Sequence, residues 1–485
     1  DTDGSVDCYR QALSAGSGDA EAHHFLGVTL KDAGRLDEAI AEYRKALDLN
    51  PDYAEALNNL AAALRDKGDL KGAIETYERA VAVKPDFAAA LTNLGNAYQE
   101  AGRLDDAIAH HQRAIELQPD LVEAHNNLGA LYMGEEKAEE AVACFERALK
   151  CNPDFAPAWS NLGNIRVSQE QIDEARRCYA EALRIKPDFV EALTNLGNLL
   201  QDFVSLEEGL ASYEKALAIN PNFAGARFGH SLVKLMMGDL KAGFAEYESR
   251  WEGSDQAKKV KPPRFPCPQW KGEPVGRDAR IIIYYEQGFG DTIQFCRYAP
   301  LLLERFRHVT FVVQNELYRL VQQSMGDRVR VVPGEHAQPF VRERYDFHCP
   351  AMSLPMAFGT DLGTVPAPVP YLYAGSAAQA AWRERFADEK RPRVGLVWYG
   401  SRGFRGDRYR SISLEAFRPL LERDDVAWVS LQKVRPDGPV PAELTAHIRD
   451  PMGDVKDFAD TAALMAELDL VICVDTGVAH LAGAL

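Results

Sequence analysis

The sequence predicts a helical solenoid followed by two α/β domains with parallel sheets, and three observations predict it. Pro51, Pro85, Pro119, Pro153, Pro187 and Pro221 recur every 34 residues, the length of one helix-turn-helix unit in a stacked array. Past residue 280 the pattern changes to short β-rich runs alternating with helical stretches, as parallel βαβ units require. That alternation occurs twice, from Arg280 and again from Arg393. At 485 residues the chain is too long for one core and has room for about three domains of ordinary size.

The array is assigned to residues 1–253, and its period is of the tetratricopeptide type. Pairs of helices begin near Ala20, Ala54, Ala88, Val122, Ala156, Val190 and Ala224. Before them, Cys8–Leu13 (CYRQAL) reads as the second helix of a repeat whose first helix is missing. The chain also starts without Met and stops inside a helical pattern, so it is expected to be a piece of a longer protein at both ends. Other columns keep the same step. Leu60, Leu94, Leu128, Leu162 and Leu196 form one; Gly95, Gly129, Gly163 and Gly197, with Ala61, form a second. Alanines form a third at Ala39, Ala73, Ala107, Ala141 and Ala175. A bulky column runs Tyr43, Tyr77, Phe145, Tyr179 and Tyr213, interrupted by His111. Small residues let paired helices approach, and the aromatic is expected to plug the gap against the next pair. No pair buries its apolar face alone, so stacking stabilises the whole. The seventh pair is divergent, as a terminal cap or a joint should be.

Charge separates the two parts. Residues 1–253 hold 43 acidic against 25 basic side chains, whereas residues 254–485 hold 29 against 30. An acidic array argues against a nucleic-acid platform; a solvated surface and a basic partner both remain open. The sixth position of the first helix is Asn59, Asn93, Asn127, Asn161 and Asn195 in five successive repeats. Amides at even spacing suit the backbone of an extended peptide, or else they pair with neighbouring helices. Asn96, Asn164 and Asn198 lie one turn further on. A lysine-rich clamp for a terminal carboxylate is argued against by Asn58, Thr92, Asn126, Asp32, Asp66 and Glu100 at the corresponding places. The eight cysteines are scattered without a Cys-x-x-Cys pair, which fits reduced thiols and a cytoplasmic location.

Residues 254–280, with five prolines among lysines and glycines, read as a linker that Trp270 pins to one side. Residues 281–375 form the first predicted Rossmann-like domain. Its strands are Arg280–Glu286, Val309–Val313, Val329–Pro333 and Tyr345–Cys349. Residues 376–485 form the second, with strands from Arg393, Val426 and Asp469 and a closing helix GVAHLAGAL. Two such sheets in tandem face their ligand loops across a cleft.

At this point the residues resemble a family. YYEQGFGDTIQFCRYAPLL, RVGLVWYGSRGFRGDRYRSISLEAF and DFADTAALMAELDLVICVDTGVAHLAGAL resemble three landmark segments of bacterial glycosyltransferases of the heptosyltransferase type. Joined to the repeats, they resemble bacterial tetratricopeptide-glycosyltransferase proteins and, in layout, the protein O-GlcNAc transferases. The resemblance implies a fold of two Rossmann-like domains called GT-B, following the tetratricopeptide superhelix. It also implies a donor substrate that is a nucleotide-diphosphate sugar, with no permanently bound cofactor, and transfer with inversion.

Each landmark has a chemistry and a plain structural alternative. Asp475, Thr476 and Gly477 follow a strand and open a helix, where amides favour a diphosphate; His480 lies one turn on. Asp475 is equally placed as an N-cap and His480 as a packing residue. The loop after the second domain's first strand carries Ser401, Arg402, Arg405, Arg408 and Arg410. Cationic forks there suit a pyrophosphate leaving group, and Arg410 is the nearest match to the basic residue of the family; a solvated basic loop is the alternative. Gly288 and Gly290, expected among the nucleotide- and phosphate-binding residues, make the turn before Asp291, which the resemblance implies is the general base for the acceptor hydroxyl; Asp291 also fits as a helix cap. Glu286 assists it or ends the strand. Asp457, or Asp460, is the analogue of an acid that bonds a ribose, and reads equally as an N-cap. No Asp-x-Asp motif occurs, so arginines and a helix end, rather than a metal ion, are expected to meet the leaving-group charge.

The expectation is therefore a cytoplasmic bacterial glycosyltransferase whose repeats recruit a polypeptide acceptor. Two rivals stand beside it: an interaction scaffold with an inactive transferase-like half, and a transferase acting on glycan or lipid-linked acceptors.

Overall fold

Prolines just past the second helix of each pair, and apolar residues at helical spacing, produce six antiparallel helical pairs. They are Ala20–Asp32 with Leu36–Leu49, Ala54–Asp66 with Leu70–Val83, Ala88–Glu100 with Leu104–Leu117, Val122–Gly134 with Ala138–Cys151, Ala156–Ser168 with Ile172–Ile185, and Val190–Phe203 with Leu206–Ile219 (α1 to α12). The computed structural model describes residues 6, 8–11, 13, 19–254, 262–276, 278–337, 344–400, 410–433 and 442–485. The chain divides into two units, Asp1–Ala226 and Arg227–Leu485.

In the first unit the glycine and aromatic columns meet. A Cβ on Gly27, Gly129, Gly163 or Gly197 would lie 2.6–2.8 Å from the ring of Tyr43, Phe145, Tyr179 or Tyr213. The ring thus seats on the glycine of its own pair, a correction to the expectation that it plugs the gap against the next one. His111 takes the same seat on Gly95. The turns inside each pair need a left-handed residue, and Gly34, Gly68 and Gly102 supply it at φ 73°, 91° and 76°. Glu136 and Glu170 occupy that conformation in the next two pairs, both at φ 61°.

The second unit begins earlier than the sequence pattern implied. Helices Ala224–Met236 and Leu240–Glu246 (α13, α14) keep the repeat spacing. Yet Phe228, Leu232, Leu235, Phe244 and Tyr247 pack into the core that also holds Ile281, Ile283 and Trp270. The expected boundary at 253 is therefore displaced to 226, because the apolar face of this last pair is covered by the α/β core.

Two four-stranded parallel sheets follow. The first contains Arg280–Tyr284, His308–Val313, Arg330–Pro333 and Phe347–Pro350 (β1 to β4) in the order β3-β2-β1-β4. The second contains Arg393–Val397, Ala427–Ser430, Ile448–Arg449 and Leu470–Cys473 (β5 to β8) in the order β7-β6-β5-β8. The topologies are identical when β1 is matched with β5. β7, only two residues long, has no counterpart in the sequence reading. Part of the linker is structured: Trp270 donates its backbone N–H to His348 O at 2.9 Å. Its ring is buried edge-on against Phe306 and Phe358, centroids 5.1 and 5.2 Å away.

Candidate functional site

The site residues of the second unit lie at the carboxyl ends of β1, β5 and β8, the end at which parallel sheets take ligands. After β1, Gly288 leads into a helix Phe289–Phe295 (α15); after β8, Thr476 leads into a helix Gly477–Ala484 (α18). The two helix starts touch nearly backbone to backbone. A Cβ on Gly477 would lie 3.6 Å from the backbone nitrogen of Gly290, and one on Gly290 would lie 2.6 Å from Cδ2 of His480. A side chain on Gly290 would overlap the His480 ring, and a Cβ on Gly477 would meet Phe289 Cβ at 3.3 Å, a tight contact. Landmark segments nearly 200 residues apart are thereby joined.

Asp291 sits on the first turn of α15, and its Oδ2 accepts the Gly288 N–H at 3.0 Å. Burial pushes its carboxyl pKa above the ordinary range, and the Asp475 charge adds to this; the Gly288 amide and His480 pull the other way. The helix-cap role and a proton-accepting role are compatible, since the cap bond leaves Oδ1 uncommitted to Gly288. Opposite it, Arg410 donates to the backbone O of Asp475 at 3.1 Å. Thr476 Oγ1 is buried and has no hydrogen-bond partner among the described residues. Donors at the start of α18, an unpaired hydroxyl and a guanidinium together form an anion-accepting edge. Ser401 and Arg402, with Arg405 and Arg408, lie outside the described residues.

Asp457 is committed locally. Its Oδ1 caps the helix Phe458–Met465 (α17) by accepting from Ala459 N at 2.9 Å and Asp460 N at 3.2 Å. Its Oδ2 accepts from Arg319 at 3.0 Å, and Asp460 takes the other arm of that guanidinium at 3.0 Å. A ribose hydroxyl would have to compete with this pair. Glu286, read as assisting the base or ending the strand, forms a buried bidentate pair with Arg250, at 2.7 and 3.0 Å. Arg250 also reaches Glu248 at 2.7 Å and Ser353 at 2.8 Å. Burial pushes the Glu286 pKa upward and the guanidinium opposes it. The crevice between β1 and β4 is thus filled by a side chain of the protein itself.

Sequence reasoning missed Arg250, Gln314, Gln432 and Lys433. Lys433 follows β6 and donates to the backbone oxygens of Met452 (3.1 Å) and Val455. For Gln314, Gln432 and Lys433 the available signal was a polar residue within three positions of the end of β2 or β6, which surface residues share; Arg250 carried none.

In the first unit the asparagine row is half-buried and bonded between repeats. Asn59 bonds His24 at 2.9 Å. Asn93 donates to Asn58 (2.9 Å), Asn127 to Asn96 (2.8 Å) and Asn161 to Asn126 (3.0 Å). Asn164 and Asn198 accept from Tyr179 and Tyr213 at 2.7 and 2.6 Å. Each amide retains a second N–H and a carbonyl lone pair for a ligand. Asn195 closes the row and is half-buried.

Comparison with known proteins accounts for this unit. Residues 29–65, 61–102 and 163–202 match a family described as TPR repeat. Residues 86–154, 144–177 and 190–223 match families described as tetratricopeptide repeat. The N-terminal half carries tetratricopeptide repeats. Such repeats are protein-interaction modules. Protein FlbA of Caulobacter vibrioides is 28% identical over 284 residues, covering 53% of this chain and 46% of FlbA. The chain therefore spans less than half the length of that relative. Among solved structures, YrrB, a TPR protein with an unusual peptide-binding site, is 25% identical with a TM-score of 0.32, covering 39% of this chain and 97% of its own. Pseudomonas aeruginosa PilF is 21% identical with a TM-score of 0.40, covering 45% of this chain and 97% of its own. Among the described residues, no helix is long and apolar enough to cross a membrane.

Proposed function

We propose that the second unit is a glycosyltransferase of the GT-B type, moving a sugar from a nucleotide diphosphate to a polypeptide held by the repeats. The observation that carries the proposal is the meeting of α15 and α18. It puts the Asp291 carboxylate, whose pKa burial raises, near His480 and near the start of α18, where the Thr476 hydroxyl has no partner among the described residues. In this reading the start of α18, Thr476 and Arg410 take the diphosphate and stabilise its charge as it leaves. Asp291 accepts the proton of the attacking hydroxyl. Arg250 and Glu286 are structural.

Calorimetry of the protein with UDP, GDP, ADP, CMP and their sugars tests it. Saturable binding of one nucleotide, weakened at least tenfold by Arg410→Ala, is expected. Asp291→Asn should abolish transfer and leave nucleotide affinity within about twofold. Binding of none of the nucleotides would favour the second reading, an interaction scaffold, which the repeat matches support on their own.

A further inference from the structure

The two sheets share a strand order, so positions in one lobe can be matched to the other. Gln314 directly follows β2, and Gln432 stands two residues past β6, the strand matched to β2. Both side chains are buried. Gln314 donates Nε2–H to Gln287 O at 3.0 Å and Gly288 O at 3.2 Å, and its Oε1 accepts from Thr292 Oγ1 at 2.8 Å. Gln432 accepts at Oε1 from Trp398 N (3.1 Å) and Tyr399 N (3.0 Å), and donates Nε2–H to Tyr399 O at 3.0 Å. Each amide thus holds the loop leaving the neighbouring first strand, β1 or β5, where no ladder partner is available for those backbone groups.

Those loops carry the site. Gly288, whose carbonyl Gln314 holds, gives its N–H to Asp291, and Thr292 is the next residue. On the other side Trp398 O accepts from Ile412 N at 2.8 Å, and Gly400 N donates to Ser411 Oγ at 2.9 Å. That fixes the segment beginning at Arg410. We propose that Gln314 and Gln432 are matched positioning residues, the first setting the acceptor-side loop with Asp291, the second setting the donor-side loop with Arg410. The proposal rests on the glycosyltransferase reading for its kinetic consequence, but its structural content stands apart from it.

The hydrogen-bond polarity of the pair is reversed, which gives a sharp test. Gln314 holds its loop with two donor bonds, Gln432 with two acceptor bonds. Gln432→Glu keeps both amide contacts but turns one carboxylate oxygen on the Tyr399 carbonyl, whereas Gln314→Glu turns one on two carbonyls. Four variants are compared: Gln314→Glu, Gln314→Met, Gln432→Glu and Gln432→Met. Hydrogen exchange by mass spectrometry is read on peptides spanning 284–292 and 396–412, and kcat and donor KM with whichever nucleotide sugar the calorimetry selects. Both Gln314 variants should speed exchange in 284–292 only and lower kcat about 10- to 100-fold, since small misplacement of a reacting group costs that much. Their donor KM should change less than about twofold. Gln432→Met should speed exchange in 396–412 and raise donor KM about tenfold, while Gln432→Glu, which loses only the bond to Tyr399 O, should do both to a smaller extent. The Met variants keep side-chain volume, so a misfolded Glu variant does not remove the test. Unchanged exchange in either Met variant would overturn the proposal. So would faster exchange with kcat and KM altered alike in both lobes, the mark of a purely structural role. If the wild type transfers no sugar, the glycosyltransferase reading fails, while exchange confined to the neighbouring loop still upholds the two amides as clamps.

Discussion

Replacing His111 by Phe removes a buried base from the aromatic column of the repeats. The His111 ring is fully buried on Gly95, and neither ring nitrogen has a hydrogen-bond partner among the described residues. Burial lowers its pKa from 6.5 to about 4, and the neighbouring His110 charge acts in the same direction. The unfolded chain therefore binds this proton first as the pH falls. The stabilising contribution of a neutral His111 is complete above pH 6.5 and is lost progressively toward pH 4. One pKa unit corresponds to about 1.4 kcal/mol, so the loss reaches about 2 kcal/mol at pH 5 and about 3 kcal/mol at its limit. Phe145 shows that a phenyl ring fits the same seat, over Gly129. At pH 8 His111→Phe should stabilise by about 1–2 kcal/mol, through removal of two unpaired nitrogens. At pH 5 the gain should rise by about 2 kcal/mol more. Urea titration followed by far-ultraviolet circular dichroism, for both proteins at both pH values, gives the double difference. Hydrogen exchange over residues 88–117 localises it to the third pair. A double difference below about 0.5 kcal/mol would refute the argument, because it would mean that the folded array protonates this site as easily as the unfolded chain.

The left-handed turns predict a gain elsewhere: Glu136→Gly and Glu170→Gly should each stabilise the array by about 1 kcal/mol in urea titration, by relieving a side chain at positive φ. Arg250→Ala should destabilise the second unit by about 3–5 kcal/mol, since Glu286 would remain buried without its partner. A calorimetric scan should show that transition shifted to lower temperature and the first unit's unchanged. The triple change Asn93→Ala, Asn127→Ala, Asn161→Ala should cost the array about 1 kcal/mol per lost amide bond, read as a lower melting midpoint. An unchanged midpoint would show that those bonds between repeats contribute nothing.

The repeat array was legible because its signal is periodic and local: one misread residue is corrected by the same column in the next pair. The seventh pair was not, since Phe228, Leu232 and Tyr247 look like repeat core residues whichever surface covers them. The strands of both sheets were readable from β-rich runs, except β7, whose two residues carry no pattern. At the site, Gly288, Gly290, Asp291, Asp475, Thr476, Gly477 and His480 were picked out one landmark at a time. Only the fold shows that α15 and α18 touch. Gln314 and Gln432 were invisible for the opposite reason: apart from the Thr292 hydroxyl on Gln314, the partners named for them are backbone atoms, which leave no trace in side-chain identity. The asparagine row was recognised, but the bonds linking successive repeats join residues 31 or 35 apart, which one column of the pattern does not show. Asp457 and Glu286 carried two readings each, and the structure engages both with arginines, Arg319 and Arg250.

The Arg250 fork has a practical consequence for dissecting this protein. A cut at residue 253, where the repeat pattern ends, would leave the α/β half with Glu286 and Ser353 deprived of Arg250 and with Phe228 and Tyr247 stripped from its core. A cut between Ala226 and Arg227 keeps the guanidinium with its carboxylates. The last helical pair is thus better regarded as the first element of the α/β half than as the end of the repeats. Fragments made at the two positions should differ in whether they fold at all.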